Sequence, residues 1–239
     1  MAAAVARSGA VTGRSRYRRR RPLPALIMLA VLAVLAGMVW SKVFNTVEDL
    51  EAATRCNPPQ VVPDAADPDQ PSPTPGEPLP RDALDRTDPA PPPEVYVRVL
   101  NANGKRSEAG MVAEELYSVG VNKAGEPAND PLYPDFNLEC YGQIRFGPNG
   151  ASAARTLSLL IPCAQLVRDG RQDATVDLAL GTKFDDVRPS AEARQVLDDL
   201  REWAEQHPTQ NVGGQQAQAE ARRAPVDEDL LKAARDVYC

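Results

Sequence analysis

The sequence predicts an α/β fold in which a small, mainly parallel sheet with flanking helices follows one transmembrane helix and a proline-rich tether. Three observations predict this arrangement. Residues 25–40 form an uncharged apolar run directly after an arginine cluster. Residues 57–93 contain 13 prolines, too many for a packed core. Residues 94–239 then alternate between strand-like and helix-like patterns in the order β-α-β-α-β-β, followed by helices.

The N-terminal apolar run is the predicted membrane anchor. With its apolar neighbours it covers residues 23–44, about the length that a bilayer requires. Seven arginines and no acidic residue lie in residues 1–40, so the positive-inside rule keeps residues 1–22 in the cytoplasm. The rest of the chain is then extracytoplasmic. A cleavable signal peptide is an alternative that also exports it, and a buried helix of a soluble domain is a third interpretation.

Residues 45–93 are predicted to connect the anchor to the domain. Apolar residues at helical spacing extend the membrane helix to about Thr54, and Pro58 and Pro59 then stop it. Proline stiffens residues 57–93 toward an extended form, with a reach on the order of 110 Å when fully stretched. We interpret this segment as a spacer in preference to a ligand for proline-recognition domains.

The extracytoplasmic domain is predicted to begin at Glu94. Runs rich in β-branched and apolar residues predict strands at 95–100, 143–146, 163–167 and 175–180. Apolar residues at helical spacing predict helices at 107–119, 147–161, 190–206 and 227–238. Strand–helix–strand units favour parallel pairing with helices packed on the sheet. The last two strands are close enough along the chain to form a hairpin.

Charge excludes one class of partner. The whole chain carries a formal charge of −6, but this value includes the seven N-terminal arginines. Without them, 20 basic and 33 acidic side chains remain, which gives residues 41–239 a formal charge of −13. A domain this acidic repels phosphate backbones, so nucleic-acid binding is not expected.

The four cysteines are expected to form two disulfides, because the chain is exported and the count is even. We favour Cys140 with Cys163, since Cys140 precedes the second strand and Cys163 opens the third, and these strands are expected to be parallel neighbours. This pairing leaves Cys56 for Cys239. The alternative is Cys56 with Cys140 and Cys163 with Cys239, which would attach both tails to the sheet. The spacings do not fit a zinc site, and no metal or other cofactor is expected.

Catalytic residues are not predicted, because His207 is the only histidine and follows a helix end. The candidate binding residues are Asn101, Asn103 and Gly104, between the first strand and its helix, with Arg145 as a cationic partner. The N-terminus of a helix can hold a phosphate or carboxylate, and ligands in general bind at the carboxyl ends of parallel strands. The simpler interpretation is a structural turn that uses Asn and Gly for left-handed backbone.

Four motifs follow one another in the predicted domain: Val97–Gly104, Gly110–Leu116 with Gly120-Val121, Asn149–Leu157 and Val176–Gly181. In their order and spacing they resemble the LytR C-terminal domain family over about residues 94–184. In many LytR proteins this domain follows a catalytic domain that transfers glycopolymers to peptidoglycan, for which this sequence offers no ordered segment. The resemblance therefore implies a role in the cell envelope without enzymatic activity.

The expected function is that of a non-enzymatic, membrane-anchored protein that supports the integrity of the cell envelope. Its expected partner is an envelope glycopolymer, a lipid-linked precursor or a membrane protein. The alternative function is a ligand-binding carrier or an accessory enzyme of glycopolymer attachment, with its cleft near Asn101–Gly104.

Overall fold

The computed structural model of the chain describes residues 23–59, 75–208, 224–237 and 239. These residues fall into two units, 1–46 and 47–239, which we describe separately. The predicted cytoplasmic tail at 1–22, residues 60–74 of the predicted tether and residues 209–223 of the C-terminal linker lie outside the described residues.

The first unit is built on helix α1, Leu23–Thr54, which continues into the second unit. It extends past the apolar run to Thr54, as the helical spacing predicted. The large apolar side chains between Leu26 and Trp40 are 53–69% exposed. Within the described part of the chain, no helix combines the length and the apolar character of a membrane span.

The second unit contains one seven-stranded sheet. Its strands are β1 (Glu77–Pro78), β2 (Tyr96–Asn101), β3 (Asn122–Lys123), β4 (Ala128–Asn129), β5 (Gly142–Phe146), β6 (Gln165–Arg168) and β7 (Val176–Leu180). Their order across the sheet is β1-β6-β5-β7-β2-β3, and β4 also pairs with β2. The four predicted strands correspond to β2, β5, β6 and β7, which form the centre of the sheet.

The sheet is mixed, so the prediction of a mainly parallel sheet is wrong. β5 and β6 pair in parallel, as do β2 and β7, but β5 and β7 are antiparallel. The connection between β6 and β7, residues 169–175, contains no helix that could return the chain for a parallel strand. The predicted hairpin is also wrong, because β5 lies between β6 and β7.

Helices α2 (Glu108–Ser118) and α3 (Ala151–Leu160) pack on one face of the sheet. They form the main core with side chains of the central strands, including Val97, Ile144 and Leu178. The predicted inward faces of both helices are confirmed, since residues such as Val112 and Leu157 are buried there. The largest cluster of buried aliphatic side chains thus lies on this first face of the sheet.

Helices α4 (Ala191–Gln206) and α5 (Glu228–Arg235) form a second layer next to α3. The Ser190 and Asp227 side chains accept hydrogen bonds from backbone N–H groups at the starts of α4 and α5. The docking of the final helix is confirmed, because Ala234 is buried against Leu159 and Leu200. Ser107 occupies the position before α2 but has a φ of 64° and makes no side-chain cap.

Packing begins before the predicted domain boundary at Glu94. Leu84 is 2% exposed and belongs to the main core, and Leu79 packs against that core. The short strand β1 covers the edge of β6. Residues 75–93 are therefore part of the domain and not of a tether. Their prolines mislead sequence interpretation because proline also suits short edge strands and turns.

Two disulfides are present, but the favoured pairing is wrong. Cys56 is bonded to Cys140 and Cys163 to Cys239, with Cα–Cα distances of 4.9 and 5.6 Å. β5 and β6 are parallel neighbours, yet their register places residue 141 opposite Cys163. Cys140 is thus offset by one residue, and such an offset directs side chains to opposite faces. Cys140 packs in a cluster on the second face of the sheet.

Candidate functional site

The second face of the sheet carries charged side chains in its centre. In three neighbouring strands, one charged residue lies between two apolar residues, and strand alternation directs it away from the main core. These residues are Arg98 in β2, Asp177 in β7 and Arg145 in β5. The strand register places Asp177 opposite both Arg98 and Arg145, so the three form one row across the sheet.

Arg145 is bound within the protein on this face. Its Nη1 and Nη2 atoms donate to the two carboxylate oxygens of Asp130 at 2.9 and 2.6 Å. Its Nε and Nη2 also donate to Oε1 of Gln143 at 3.0 and 2.8 Å. The guanidinium lies 5.7 Å from the centre of the Tyr133 ring. Because both charged partners are buried, this ion pair fixes the 130–133 segment over the sheet.

Asp177 is the other ionic centre of the face. Arg98 donates to both of its oxygens at 2.9 and 2.8 Å, and Arg171 donates to Oδ2 at 2.7 Å. Burial works to raise the pKa of Asp177, but the hydrogen bonds from Arg98 and Arg171 outweigh it and hold that pKa below its ordinary value. Arg171 also binds Asp169 at 2.6 Å.

A cleft of about 510 Å³ opens over these groups. Its charged lining residues are Arg98, Arg145, Asp169, Arg171, Asp173 and Asp177. Arg98 and Arg171 bind Asp177, Arg171 also binds Asp169, and Arg145 binds Asp130, so their charges largely cancel. The arrangement presents fixed donors and acceptors side by side, which suits a neutral, hydroxyl-rich ligand better than a bare anion.

The predicted residues Asn101, Asn103 and Gly104 form a tightly bonded turn between β2 and α2. Oδ1 of Asn101 accepts from the backbone N–H groups of Asn103 and Gly104 at 3.1 and 2.9 Å. Nδ2 of Asn103 donates to Glu108 and to the Gly181 carbonyl. Gly104 has a φ of 74°, the left-handed backbone for which glycine is suited. These groups are therefore engaged in holding the turn.

The structure does not bring the side chain of Arg145 to this turn. Asp130 connects the two regions, because its backbone N–H donates to the Asn101 carbonyl at 2.8 Å and its carboxylate binds Arg145. Arg155 also lies away from the turn, buried in α3, where it binds Asp85 at 2.8 Å. Ligand binding at the turn remains a prediction.

Sequence interpretation missed Asp130, Arg171 and Asp177. A signal for the last was present, because Asp177, Arg98 and Arg145 each interrupt an apolar strand. Charged side chains in central strands need partners of opposite charge, because an unpaired buried charge is costly. His207 follows α4, where its ring stacks on Trp203 at 4.7 Å between ring centres. In the described ranges, no group of three His, Cys, Asp or Glu side chains could hold a metal.

Comparison with known proteins gives a consistent result. Residues 94–184 match the family model described as LytR cell envelope-related transcriptional attenuator, which covers β2 to β7. The chain is 36% identical over 188 residues to the cell envelope integrity protein Cei of Mycobacterium tuberculosis, covering 79% of this chain and 84% of that protein.

A solved structure is similar as well. It is the soluble domain of a conserved hypothetical secreted protein from Mycobacterium marinum, 36% identical, with a TM-score of 0.56. The match covers 69% of this chain and 98% of the solved one. The chain therefore belongs to the same family as the cell envelope integrity protein Cei, with a LytR C-terminal domain at residues 94–184.

Proposed function

We propose that the chain is a non-enzymatic, membrane-anchored protein that supports the integrity of the cell envelope. Residues 23–44 are its single membrane span, and the N-terminal residues 1–22 remain in the cytoplasm. The domain acts outside the cytoplasm by binding an envelope component or a partner protein. Its family supports the envelope role, because the similar protein from M. tuberculosis is named for cell envelope integrity.

The observation that carries the proposal is the exposed apolar surface of α1. Eleven large apolar side chains from Leu26 to Trp40 are exposed on one uninterrupted stretch of helix. A soluble protein rarely exposes such a continuous surface to water, and it is the surface that lipid would cover. The seven arginines before it orient the helix with its N-terminus inside.

The two disulfides support an extracytoplasmic domain. Disulfides persist in oxidising compartments and are rare in the reducing cytosol. The similar structure from M. marinum is described as part of a secreted protein. Both observations agree with the orientation that the arginines favour.

A second candidate function is that of a ligand carrier for glycopolymer attachment. The cleft of about 510 Å³ on the second face favours it, because its volume falls in the range of small-molecule sites. Cell-wall glycan fragments added to isotope-labelled chain would locate the site by amide NMR shifts. Shifts at Arg98 and Thr175 support the cleft, and shifts at Asn103 and Gly104 support the turn.

Deletion of the gene tests the proposed function. The deletion strain should stop growing at lower concentrations of detergents and of wall-active antibiotics, and a restored copy of the gene should reverse this change. Normal resistance in the deletion strain would contradict the envelope role. The accessory-enzyme alternative would be favoured by a different result. In that case the deletion strain loses resistance, and a catalytic assay traces this loss to a wall polymer that is no longer attached.

A further inference from the structure

A second cavity, of about 230 Å³, lies at the edge of the sheet between the end of α1 and β6. Its polar lining side chains are Thr54, Arg55, Arg81 and Gln165. Two arginines thus face this edge cavity, and its described lining residues include no carboxylate. The cleft on the second face differs, because there the arginines bind neighbouring aspartates.

The orientation of the Gln165 amide is set by a relay of hydrogen bonds. Arg145 donates to Oε1 of Gln143 at 3.0 and 2.8 Å, so Nε2 of Gln143 points the other way. That Nε2 donates to Oε1 of Gln165 at 3.0 Å. The remaining polar atom of Gln165 is Nε2, a donor on a side chain that lines the edge cavity. The cavity therefore offers an oriented amide donor beside two arginines.

Further positive charge lies behind Arg81. Its Nη2 donates to the carbonyls of Arg235 and Val237 at 3.0 and 3.1 Å. Arg235 and Arg155 share the half-exposed carboxylate of Asp85, at 3.3 and 2.8 Å. Burial, followed by repulsion from Arg155 and Arg81, lowers the pKa of Arg235 to about 10. Two guanidinium groups thus share the Asp85 carboxylate, while Arg81 is bound to backbone carbonyls.

The buried Nε atoms of these three arginines have no hydrogen-bond partner among the described residues. Of the three, Arg81 lines the edge cavity, where its positive charge and that of Arg55 favour a negative ligand. The carbonyl end of α1 opposes an anion with roughly half a unit charge, which is less than the charge of either lining arginine.

We propose that the edge cavity binds a phosphate or pyrophosphate group. Arginine binds such groups through paired, charge-assisted hydrogen bonds, and the Gln165 amide adds a neutral donor. The cavity is smaller than the roughly 300–1,000 Å³ of typical small-molecule sites, so it holds a headgroup and not a sugar chain. The group can come from a membrane lipid or from a soluble or lipid-linked pyrophosphate, and only this choice of source rests on the proposed function.

Inorganic pyrophosphate is the probe, titrated calorimetrically into the full chain in a neutral detergent at constant ionic strength. Arg55→Gln removes an exposed guanidinium and should weaken binding by about tenfold or more. Gln165→Glu keeps the side-chain length, replaces the donor with a carboxylate and should abolish binding. Arg81 is left intact because it binds the carbonyls of Arg235 and Val237 at the end of α5.

The matched control is Arg86→Gln, which removes the same charge from an exposed residue outside the cavity lining. It should change the affinity by less than about twofold, since exposed distant charges are screened by salt. The thermal unfolding midpoint of each variant verifies its folding. Equal weakening by Arg55→Gln and Arg86→Gln, or no pyrophosphate binding by the wild type, would overturn the proposal.

Nanodiscs identify the source of the phosphate. With the chain in phosphatidylcholine discs, pyrophosphate should bind as it does in detergent. The comparison uses the wild type and the double variant Arg55→Gln/Arg86→Gln, whose cavity has lost one guanidinium. If lipid headgroups fill the cavity, adding phosphatidylglycerol to the discs lowers the pyrophosphate affinity of the wild type by a larger factor than that of the double variant. If the ligand is soluble, the two decreases are equal. A failed titration leaves the deletion phenotype untouched, so the two proposals fail separately.

Discussion

The Cα atoms of Cys56 and Cys140 lie 4.9 Å apart, and their disulfide attaches the chain to the sheet two residues after α1 ends. Neighbouring contacts reinforce this attachment. Asn57 donates to the Asn137 carbonyl at 3.0 Å and accepts from the backbone N–H of Glu139 at 2.7 Å. Residues 57–93 thus begin and end on the domain, which excludes the fully extended tether that their prolines predicted.

Removal of this disulfide should destabilise the domain measurably. Replacing both Cys56 and Cys140 with alanine should lower the free energy of unfolding by about 2–4 kcal/mol, because the unfolded chain gains conformational entropy. Chemical denaturation without reductant measures the change. Peptide mapping of the wild type should yield the linked pairs Cys56–Cys140 and Cys163–Cys239. A linked Cys140–Cys163 peptide would contradict the structure.

The Arg145–Asp130 pair should be sensitive to loss of one partner. Arg145→Met leaves the buried Asp130 carboxylate uncompensated and should cost about 3–5 kcal/mol. Arg188→Gln removes a charge from exposed ion pairs and should lower the stability far less. Denaturation midpoints and slopes give both values. A loss for Arg145→Met as small as that for Arg188→Gln would refute the structural role of the pair.

Asp177 should make stability depend on pH in the acidic range. Its pKa is lowered in the folded chain, so the ionised carboxylate stabilises the fold at neutral pH, and this contribution disappears as the pH falls from about 4 through the lowered pKa. Asp177→Asn should therefore be less stable than the wild type at pH 7, and the difference should shrink in acid.

Thermal unfolding between pH 7 and pH 2 measures that difference, with the exposed residue changed in Asp199→Asn as the control. The control variant should follow the wild type at neutral pH. A stability difference for Asp177→Asn that is constant across this range would show that the carboxylate charge is not what stabilises the face.

Residues 75–93 should behave as part of the domain. Leu84→Ala removes a side chain from the main core and should cost about 2–5 kcal/mol, whereas Asp82→Ala in the same turn is exposed and should cost less than about 0.5 kcal/mol. Denaturant titration of both variants measures the costs. If Leu84→Ala lowers the free energy of unfolding as little as Asp82→Ala does, the domain begins at Glu94 and not before it.

Sequence patterns located most helices and strands but not their order in the sheet. β2, α2 and α4 lie where apolar spacing predicted them, because that spacing records which side of each element is buried. The insertion of β5 between β6 and β7 depends on long-range pairing that no local pattern contains. The disulfide pairing failed for the same reason, since it depends on a one-residue register between β5 and β6.

The candidate site was predicted even less well. The interpretation of Asn101 and Gly104 as residues of a structural turn is confirmed, because the Asn101 side chain and the left-handed backbone of Gly104 hold that turn. The ionic row on the second face required knowledge of which strands are neighbours, because Arg98 and Asp177 are far apart in sequence. The edge cavity likewise could not be predicted, because its lining residues Arg55 and Arg81 come from separate segments of the chain.

Complementation of the deletion strain with anchored and released forms of the chain tests whether the domain needs its membrane anchor. One allele restores the whole chain, and a second replaces residues 1–44 with a cleavable secretion signal, so that the same domain is exported without its anchor. Detergent resistance is compared at equal amounts of exported domain. The account predicts that only the anchored form restores resistance; full restoration by the released domain would contradict it.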